Sequence, residues 1–125
     1  MISGLGIDLV EVARMEAMLA RWQKRFLEKV FTAEEIALCE TRSNRAASYA
    51  ARFAAKEACA KALGTGWDRQ FSWKDFAVRH EESGRPVPSL SPRLQARLAG
   101  VKIHLSLSHA EHYAVALVIF ERAAP

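Results

Sequence analysis

Three charged residues and one glycine-rich turn have the types and spacing that chemistry requires. Glu57 and Lys61 are one helical turn apart in an alanine-rich segment that ends in Gly64-Thr65-Gly66. Upstream, Asp8 is the one carboxylate in the apolar run Gly6-Ile-Asp-Leu-Val10. Two carboxylates and a lysine, next to a turn that a phosphate can approach closely, are suited to hold a divalent cation against a phosphate ester. These residues therefore indicate phosphate-ester chemistry.

Each of these residues also has a purely structural explanation. A Glu and a Lys at positions i and i+4 of a helix commonly form a surface salt bridge, and Glu57 and Lys61 taken alone favour that explanation. Asp8 alone would equally suit a cap for the next helix. Burying a carboxylate is costly unless it is paired or binds a cation, so Asp8 is the stronger indication of a ligand site. Together, Asp8 and Glu57 offer the few oxygen ligands that Mg²⁺ favours alongside water and substrate phosphates.

A second polar group follows near the C-terminus, where Ser106, Ser108 and His109 lie close together in sequence. Serine beside histidine raises the question of a nucleophile and its base, but the sequence assigns no acid to them and contains no Gly-x-Ser-x-Gly pattern. We expect outward-facing serines on an edge strand. A polar strand end at a phosphate site is the second alternative, and a serine-hydrolase triad is the third.

One helix in the first third of the chain has a basic face. Arg14, Met18, Arg21 and Arg25 recur at spacings of four, three and four. Such faces are usually solvated, yet an exposed methionine among arginines is also suited to dock an acidic amphipathic helix. Nucleic-acid binding is less supported, because no basic patch carries interleaved aromatics, and we interpret Trp67 and Trp73 as local packing.

Length and composition bound the remaining alternatives. The 125 residues predict one domain, 1–125, with a single core. The chain is 50% hydrophobic and 26% charged with a formal charge of +4, a mild basicity that suits nucleic acid, anionic small molecules or an acidic protein. No apolar run reaches the ~20 residues of a membrane span, and no signal peptide is recognisable. Cys39 and Cys59 lack metal-type spacing, so we expect two buried free thiols in a cytoplasmic protein.

Periodicity and turn chemistry predict an α+β domain, with an antiparallel sheet packed against helices that include one long central helix. We expect a buried strand at 2–10, a helix with an apolar stripe, a second helix capped at Thr32, and a third from about Asn44 to Leu63. The second half predicts strands at 76–80 and 86–90, a short helix from Pro92 to Gly100, and strands at 101–108 and 113–121. The predicted stripe of the first helix consists of Val12, Met15, Leu19, Trp22 and Phe26.

Taken together, these segments resemble the holo-(acyl-carrier-protein) synthases, the small bacterial type of 4′-phosphopantetheinyl transferase. Gly6-Ile-Asp-Leu-Val-Glu11 is similar to the first signature of that family. Arg52-Phe-Ala-Ala-Lys-Glu-Ala-Cys-Ala-Lys-Ala-Leu-Gly-Thr-Gly66 is similar to the second, which is long and specific. Ser106-Leu-Ser-His109 and Tyr113-Ala-Val-Ala116 resemble its C-terminal strand pair, so the likeness covers nearly the whole chain.

The resemblance implies Mg²⁺-dependent transfer of the phosphopantetheine arm of coenzyme A to a serine of apo-acyl carrier protein in fatty-acid biosynthesis, with release of adenosine 3′,5′-bisphosphate. It implies Asp8 and Glu57 as metal ligands and Lys61 as the partner of the pyrophosphate. It further implies that the protein is a cytoplasmic homotrimer with sites between subunits, without nucleic-acid or membrane partners. Along the coenzyme A site it implies Arg52, Lys61, Gly64, Thr65, Gly66 and His109. For docking the carrier protein it implies Arg14 foremost, then Met18, Arg21 and Arg25.

Two other functions remain as alternatives: a Mg²⁺-dependent pyrophosphohydrolase acting on nucleotides or coenzyme A, and a non-catalytic basic module that binds RNA or an acidic protein. Neither explains the strand aspartate and the Lys-Glu-x-x-x-Lys helix together. The sequence leaves open which carrier proteins are accepted, whether coenzyme A is free or acylated, and whether the metal is Mg²⁺ or Mn²⁺. It also leaves open whether Glu57 or a metal-held water is the general base.

Overall fold

The computed structural model describes residues 1–124, so Pro125, the last residue of the predicted domain, lies outside the described residues. The strands and helices follow one another in the order that the sequence predicts, with a 3₁₀ turn at Trp73–Asp75. The elements are β1 (Ile2–Glu11), α1 (Val12–Val30), α2 (Ala33–Glu40), α3 (Arg45–Leu63), β2 (Phe76–His80), β3 (Pro86–Leu90), α4 (Pro92–Arg97), β4 (Val101–His109) and β5 (Tyr113–Arg122).

The strands form two antiparallel sheets, which confirms the predicted α+β class. The sequence predicted one sheet, whereas the structure divides the strands between two. One sheet has three strands in the order β1-β5-β4, and β2 and β3 form a separate hairpin. Asp8 of β1 and Leu107 of β4 pair with Ala116 of β5 from opposite sides, so they lie in one row across the sheet. Helix α4 ends at Arg97 rather than Gly100.

The central helix α3 is buried along nearly its whole length. Its ends match the sequence signals, because the Asn44 side chain accepts a hydrogen bond from the Ala47 N–H and Gly64 caps the C-terminus with φ +80°. Its alanines and the glycines of β1 allow unusually close packing. A Cβ on Gly6 would lie 1.9 Å from the Ala58 carbonyl oxygen, so only glycine fits there. This contact fixes the distance between β1 and α3.

Strand β1 is not buried on both sides, contrary to the sequence-based expectation. Leu5, Ile7 and Leu9 are 59%, 58% and 62% exposed. They pair directly with Ile119, Leu117 and Val115 of β5, which are only half-buried. The helices cover the other face of this sheet. We call these six residues (Leu5, Ile7, Leu9, Val115, Leu117 and Ile119) the outer sheet face.

The apolar stripe predicted for α1 is correct only in the first half of the helix. Val12, Met15 and Leu19 are buried, but Trp22 is 49% exposed. The break occurs at Gln23, whose φ of 47° and ψ of −132° interrupt the helix and reset its phase. Phe26 beyond the break is half-buried. No spacing rule applied across residue 23 could predict that change.

A buried ion pair joins α2, α3 and the β2–β3 hairpin. Lys56 donates to Glu35 Oε1 at 2.8 Å and to the carbonyl oxygens of Trp73 and Phe76. Glu35 also completes the predicted capping box with Thr32 and accepts from the Val78 N–H. Every strong hydrogen-bonding group of this pair is therefore occupied, as burial requires.

Cys39 and Cys59 are buried free thiols, as predicted. Burial raises the pKa of Cys39 to about 11 and that of Cys59 to about 12, which keeps both thiols protonated and unreactive. Among residues 1–124, no helix combines the length and the apolar character needed to cross a membrane.

Candidate active site

Asp8 and Lys61 are brought together by the close packing of β1 on α3. Lys61 Nζ donates to Asp8 Oδ1 at 3.1 Å and to the Ile7 carbonyl oxygen at 2.8 Å. The i,i+4 salt bridge between Glu57 and Lys61 is not formed in the described part of the chain, where Lys61 pairs with Asp8 instead. Asp8 does not cap α1 either, because Glu11 occupies the N-cap position. The lysine and the strand carboxylate thus form one charged cluster.

Glu57 lies half-buried on α3, one turn before Lys61. Its Oε2 accepts a hydrogen bond from the Trp67 indole N–H at 3.3 Å. The Trp67 ring packs against Trp73 and Phe71, with centroid separations of 4.1 Å and 4.8 Å. The local packing expected for Trp67 is therefore present, but its polar edge also contacts a candidate ligand. Sequence reasoning missed that contact, for which the position of Trp67 next to Gly66 was the only signal.

A basic cavity of about 390 Å³ opens beside the first half of α3. Arg52 is 4% exposed, and its Nη1 donates to the Ser48 carbonyl oxygen at 2.9 Å. Its Nη2 lies 3.3 Å from His80 Nδ1, while its Nε is buried without a hydrogen-bond partner. Among the described residues, no carboxylate lines this cavity. The lining consists of Arg42, Ser48, Ala51, Arg52, His80, Gly84, Pro86, Leu107 and His109.

This lining is suited to an anion, because guanidinium groups bind phosphate through charge and directed N–H donors. Of the residues predicted for a coenzyme site, Arg52 and His109 lie here. Sequence reasoning missed Arg42 and His80, which come from the segment before α3 and from the end of β2. Burial lowers the pKa of His80, and the neighbouring Arg52 and Arg42 lower it further.

The turn Gly64-Thr65-Gly66 lies at the other end of α3 and does not line this cavity. Thr65 Oγ1 accepts a hydrogen bond from Arg97 Nη2 at 2.9 Å. At 1.5 Å per residue, the turn is roughly 18 Å from Arg52 along the helix axis. It follows Lys61 and precedes Trp67, so it borders the charged cluster rather than the cavity. Its predicted contact with coenzyme A stays a prediction.

The predicted docking face on α1 is exposed at Arg14, Arg21 and Arg25, but Met18 is half-buried and packs against the core. The expectation of a fully exposed methionine was wrong. Trp22 is instead the exposed apolar side chain on this part of α1, and the Arg21 guanidinium lies 4.8 Å from its ring centroid. A groove of about 320 Å³ lies alongside, lined by Trp22, Arg25, Phe26 and Lys29.

The donor set for a metal ion is sparse. Within residues 1–124, no group of three or more histidine, cysteine, aspartate or glutamate side chains converges on one point. Asp8 on β1 and Glu57 on α3 supply two carboxylates on elements that face each other. Lys61 pairs with Asp8 and lies one helical turn after Glu57. This donor set fits Mg²⁺, which takes one or two protein carboxylates and completes its shell with waters and phosphate oxygens.

Residues 4–118 match the family model of the 4′-phosphopantetheinyl transferase superfamily. The chain belongs to that superfamily. It is 45% identical over 124 residues to the holo-(acyl-carrier-protein) synthase of Koribacter versatilis, covering 97% of this chain and 99% of that protein. The corresponding synthase of Cereibacter sphaeroides is 45% identical over 135 residues, covering 100% and 98%.

Solved structures agree with this assignment to the transferase superfamily. The holo-(acyl-carrier-protein) synthase from Bacillus anthracis, in complex with CoA (3′,5′-ADP), matches with a TM-score of 0.84 and 37% identity, covering 98% of this chain and 99% of that one. The synthase from Neisseria meningitidis matches with a TM-score of 0.90 and 32% identity, covering 98% and 100%. The resemblance given above, the enzyme class and the α+β fold are thereby confirmed.

Proposed function

We propose that this phosphopantetheinyl transferase moves the 4′-phosphopantetheine arm of coenzyme A to a serine of apo-acyl carrier protein, with Mg²⁺ as cofactor and adenosine 3′,5′-bisphosphate as product. The observation that carries the proposal is that two different sites, a charged cluster and a basic cavity, lie along the same helix α3. The Asp8–Lys61 cluster with Glu57 is suited to a reacting pyrophosphate, and the basic cavity is suited to a second phosphate.

Coenzyme A has phosphates at two such places, a pyrophosphate and a phosphate on the ribose 3′ oxygen. Arg52 of the cavity and Glu57 are five residues apart on α3, about 7 Å along the helix axis. Leu107, which also lines the cavity, is two strands away from Asp8 in the same row, or roughly 10 Å. These separations suit one molecule that spans both sites, with its adenosine end in the cavity and its pyrophosphate near Asp8.

The transfer step needs an acceptor from outside this chain. The serine Oγ of the carrier protein attacks the phosphorus that bears the pantetheine arm, and the bond from that phosphorus to the bridging pyrophosphate oxygen breaks. Lys61 neutralises charge on the leaving phosphate, and Glu57, directly or through a water, accepts the serine proton. Asp8 and Glu57 would hold Mg²⁺, which would supply further charge neutralisation. The role of Trp67 is to hold the Glu57 carboxylate through its N–H group.

The carrier protein docks on the basic face of α1. Arg14, Arg21 and Arg25 steer and pair with acidic side chains, while Trp22 offers the exposed apolar contact. The groove beside Trp22 has cations at its rim, from Arg25 and Lys29. A partner helix with acidic and apolar residues on one face matches this arrangement.

The assembly is a homotrimer, and the outer sheet face is its contact surface. Six aliphatic side chains on two adjacent strands form one apolar patch, in which Leu5, Ile7 and Leu9 are more than half exposed, and such patches commonly mark protein contacts. Asp8 lies on the opposite face of the same strand β1, so the interface and the candidate site share one element. This proximity supports sites that lie between subunits.

The decisive experiment is intact-mass spectrometry of apo-acyl carrier protein incubated with this protein and coenzyme A, with Mg²⁺ or with a chelator. We expect the carrier protein to gain the mass of one phosphopantetheine arm only when metal is present. Consumption of coenzyme A without a mass gain would favour a pyrophosphohydrolase. If neither the carrier protein nor coenzyme A changes, the transferase proposal is wrong and a non-catalytic basic module becomes the alternative.

A further inference from the structure

His80 is a neutral imidazole held against a cation. Its Nδ1 lies 3.3 Å from Nη2 of Arg52. A guanidinium can only donate hydrogen bonds, so Nδ1 must be the acceptor, and the ring proton of the neutral form sits on Nε2. Protonating Nδ1 would place two donors and two positive charges face to face. The contact with Arg52 therefore exists only while His80 is uncharged.

The groups that face His80 from neighbouring elements are two arginines and a second histidine. Arg52 approaches from α3, Arg42 from the segment between α2 and α3, and His109 from the end of β4. On its own strand and turn, Arg79 and Glu81 are exposed and do not line the cavity. Burial, then Arg52 and Arg42, lower the pKa of His80. Among the described residues, the cavity lining supplies no negative charge that would oppose these effects.

A bound phosphate would reverse that balance. Arg42 and Arg52 bring guanidinium groups to a cavity whose lining, among the described residues, contains no carboxylate. A phosphate monoester dianion would supply acceptors to several of these donors at once. The nearby negative charge would also favour the charged form of any histidine that it touches.

We propose that His80 is a phosphate-binding residue of this cavity that takes up a proton from solvent when a phosphate dianion enters. The hydrogen bond from Arg52 to Nδ1 breaks, Nδ1 gains the proton, and both side chains then donate to phosphate oxygens. No covalent bond changes. This inference rests on the proposed function only in naming the ligand, the 3′-phosphate of coenzyme A.

Proton uptake makes the affinity depend on pH. A ligand that raises the pKa of one group binds more tightly below that pKa than above it, by about tenfold for each unit of the shift. We therefore expect affinity for the phosphate to fall as pH rises from about 6 to about 8. Because phosphate monoesters themselves titrate near pH 6, the contribution of His80 must be taken as a difference between variants.

The experiment is calorimetric titration of the protein with adenosine 3′,5′-bisphosphate, without metal, in two buffers of different ionisation enthalpy. The difference between buffers counts the protons taken up. The variants are His80→Gln, which cannot titrate, and His112→Gln, which removes a histidine outside the cavity whose side chain is 77% exposed. We expect wild type and His112→Gln to take up more protons than His80→Gln, and the affinity of His80→Gln alone to depend less steeply on pH than that of wild type.

A second measurement uses only the wild-type protein and so does not depend on how the variants fold. The titration midpoint of His80, followed by NMR of its ring carbon, should rise when adenosine 3′,5′-bisphosphate binds. Binding with an unchanged midpoint, or with equal proton uptake in wild type and His80→Gln, overturns this inference alone. If wild type does not bind the bisphosphate at all, both this inference and the proposed coenzyme A site are wrong.

Discussion

At the scale of single residues, the proposed roles of Glu57 and Trp67 are the most specific. Glu57 is half-buried on α3, one turn before Lys61, and Trp67 donates the one hydrogen bond that the Glu57 carboxylate accepts among the described residues. The proposed roles differ in kind. Glu57 binds metal or moves a proton, whereas Trp67 only orients it.

Glu57→Gln keeps the shape of the side chain but removes its negative charge. We expect it to abolish transfer to the carrier protein, because neither metal binding nor proton acceptance survives the change. Since Glu57 makes no buried ion pair, the fold should stay intact, which circular dichroism and a thermal melt would check. Activity above a few per cent of wild type would show that transfer does not require the Glu57 carboxylate.

Trp67→Phe keeps an aromatic ring in the stack but deletes the N–H group. We expect kcat to fall roughly fivefold while the KM for coenzyme A stays close to wild type, since one hydrogen bond to a carboxylate is worth about 1 kcal/mol here. Trp73→Phe is the matched control, because the Trp73 side chain belongs to the same stack and makes no hydrogen bond to Glu57. If Trp67→Phe and Trp73→Phe lowered kcat equally, Trp67 would contribute by packing and not by orienting Glu57.

At the scale of elements, α1 and the segment around the 3₁₀ turn have separate tasks. Helix α1 carries the proposed docking face, where the exposed Trp22 lies beside Arg21, just before the break at Gln23. Around the 3₁₀ turn, Asp75 anchors α4 and the preceding loop through Arg93, Ser91 and Ser72. The proposed task of α1 is to contact a partner, whereas Asp75 stabilises the fold.

Arg14→Glu reverses one charge on the docking face. We expect the KM for acyl carrier protein to rise at least tenfold, because an attractive rim contact becomes repulsive, while coenzyme A binding is unchanged. Steady-state kinetics with each substrate varied in turn would measure both. Lys74→Glu is the control, since Lys74 is an exposed lysine outside α1. An unchanged KM in Arg14→Glu would place the carrier protein elsewhere.

Asp75 makes the stability of the protein depend on acid pH. Burial raises the pKa of Asp75, but the hydrogen bonds from Arg93, Ser91 and the Ser72 N–H outweigh burial and hold the pKa at about 2. The folded pKa is thus below the unfolded value near 3.9, so the stabilisation is complete above about pH 4 and is lost as pH falls through about 2.

We therefore expect Asp75→Asn to lower the free energy of unfolding by about 2 kcal/mol near neutral pH, with a smaller difference from wild type near pH 3. Urea denaturation at both pH values would measure it. Glu82→Gln, which changes an exposed carboxylate in the β2–β3 turn, should behave like wild type. A constant difference between Asp75→Asn and wild type at both pH values would contradict the assignment.

At the scale of the whole molecule, we propose that the outer sheet face is the contact between subunits. Ile7 lies at its centre, paired with Leu117. Ile7→Lys should produce monomers, since a lysine cannot be buried there without a partner charge, and transfer activity should fall with the trimer. Sedimentation velocity and the mass assay would measure the two effects.

Gln95→Lys on α4 is the matched control for Ile7→Lys, because it adds the same charge at an exposed site away from this sheet. A trimeric Ile7→Lys protein would show that the outer sheet face is not the subunit contact. A wild-type protein that is itself monomeric would overturn the proposed assembly.

The sequence by itself determined the elements whose signals are local. Thr32 and Glu35 mark the start of α2, and Asn44 and Gly64 bound α3, because caps act through hydrogen bonds and backbone angles within a few residues. It also identified Asp8 and Lys61, which the structure brings together, because a charged side chain in an apolar run needs a partner. The positions of the strands along the chain also followed from local signals, namely the alternation of apolar and polar residues and the turn residues between the strands.

Only the tertiary structure decided features that depend on contacts between distant segments. Arg52 and His80 are 28 residues apart, and no spacing predicts that they share a cavity. The helix α1 breaks at Gln23, Trp22 before the break is exposed, and the single layer of helices leaves one face of β1 uncovered. Burial and side-chain contact are properties of the packed chain, since they depend on which surfaces meet, whereas caps and periodicity depend only on neighbouring residues.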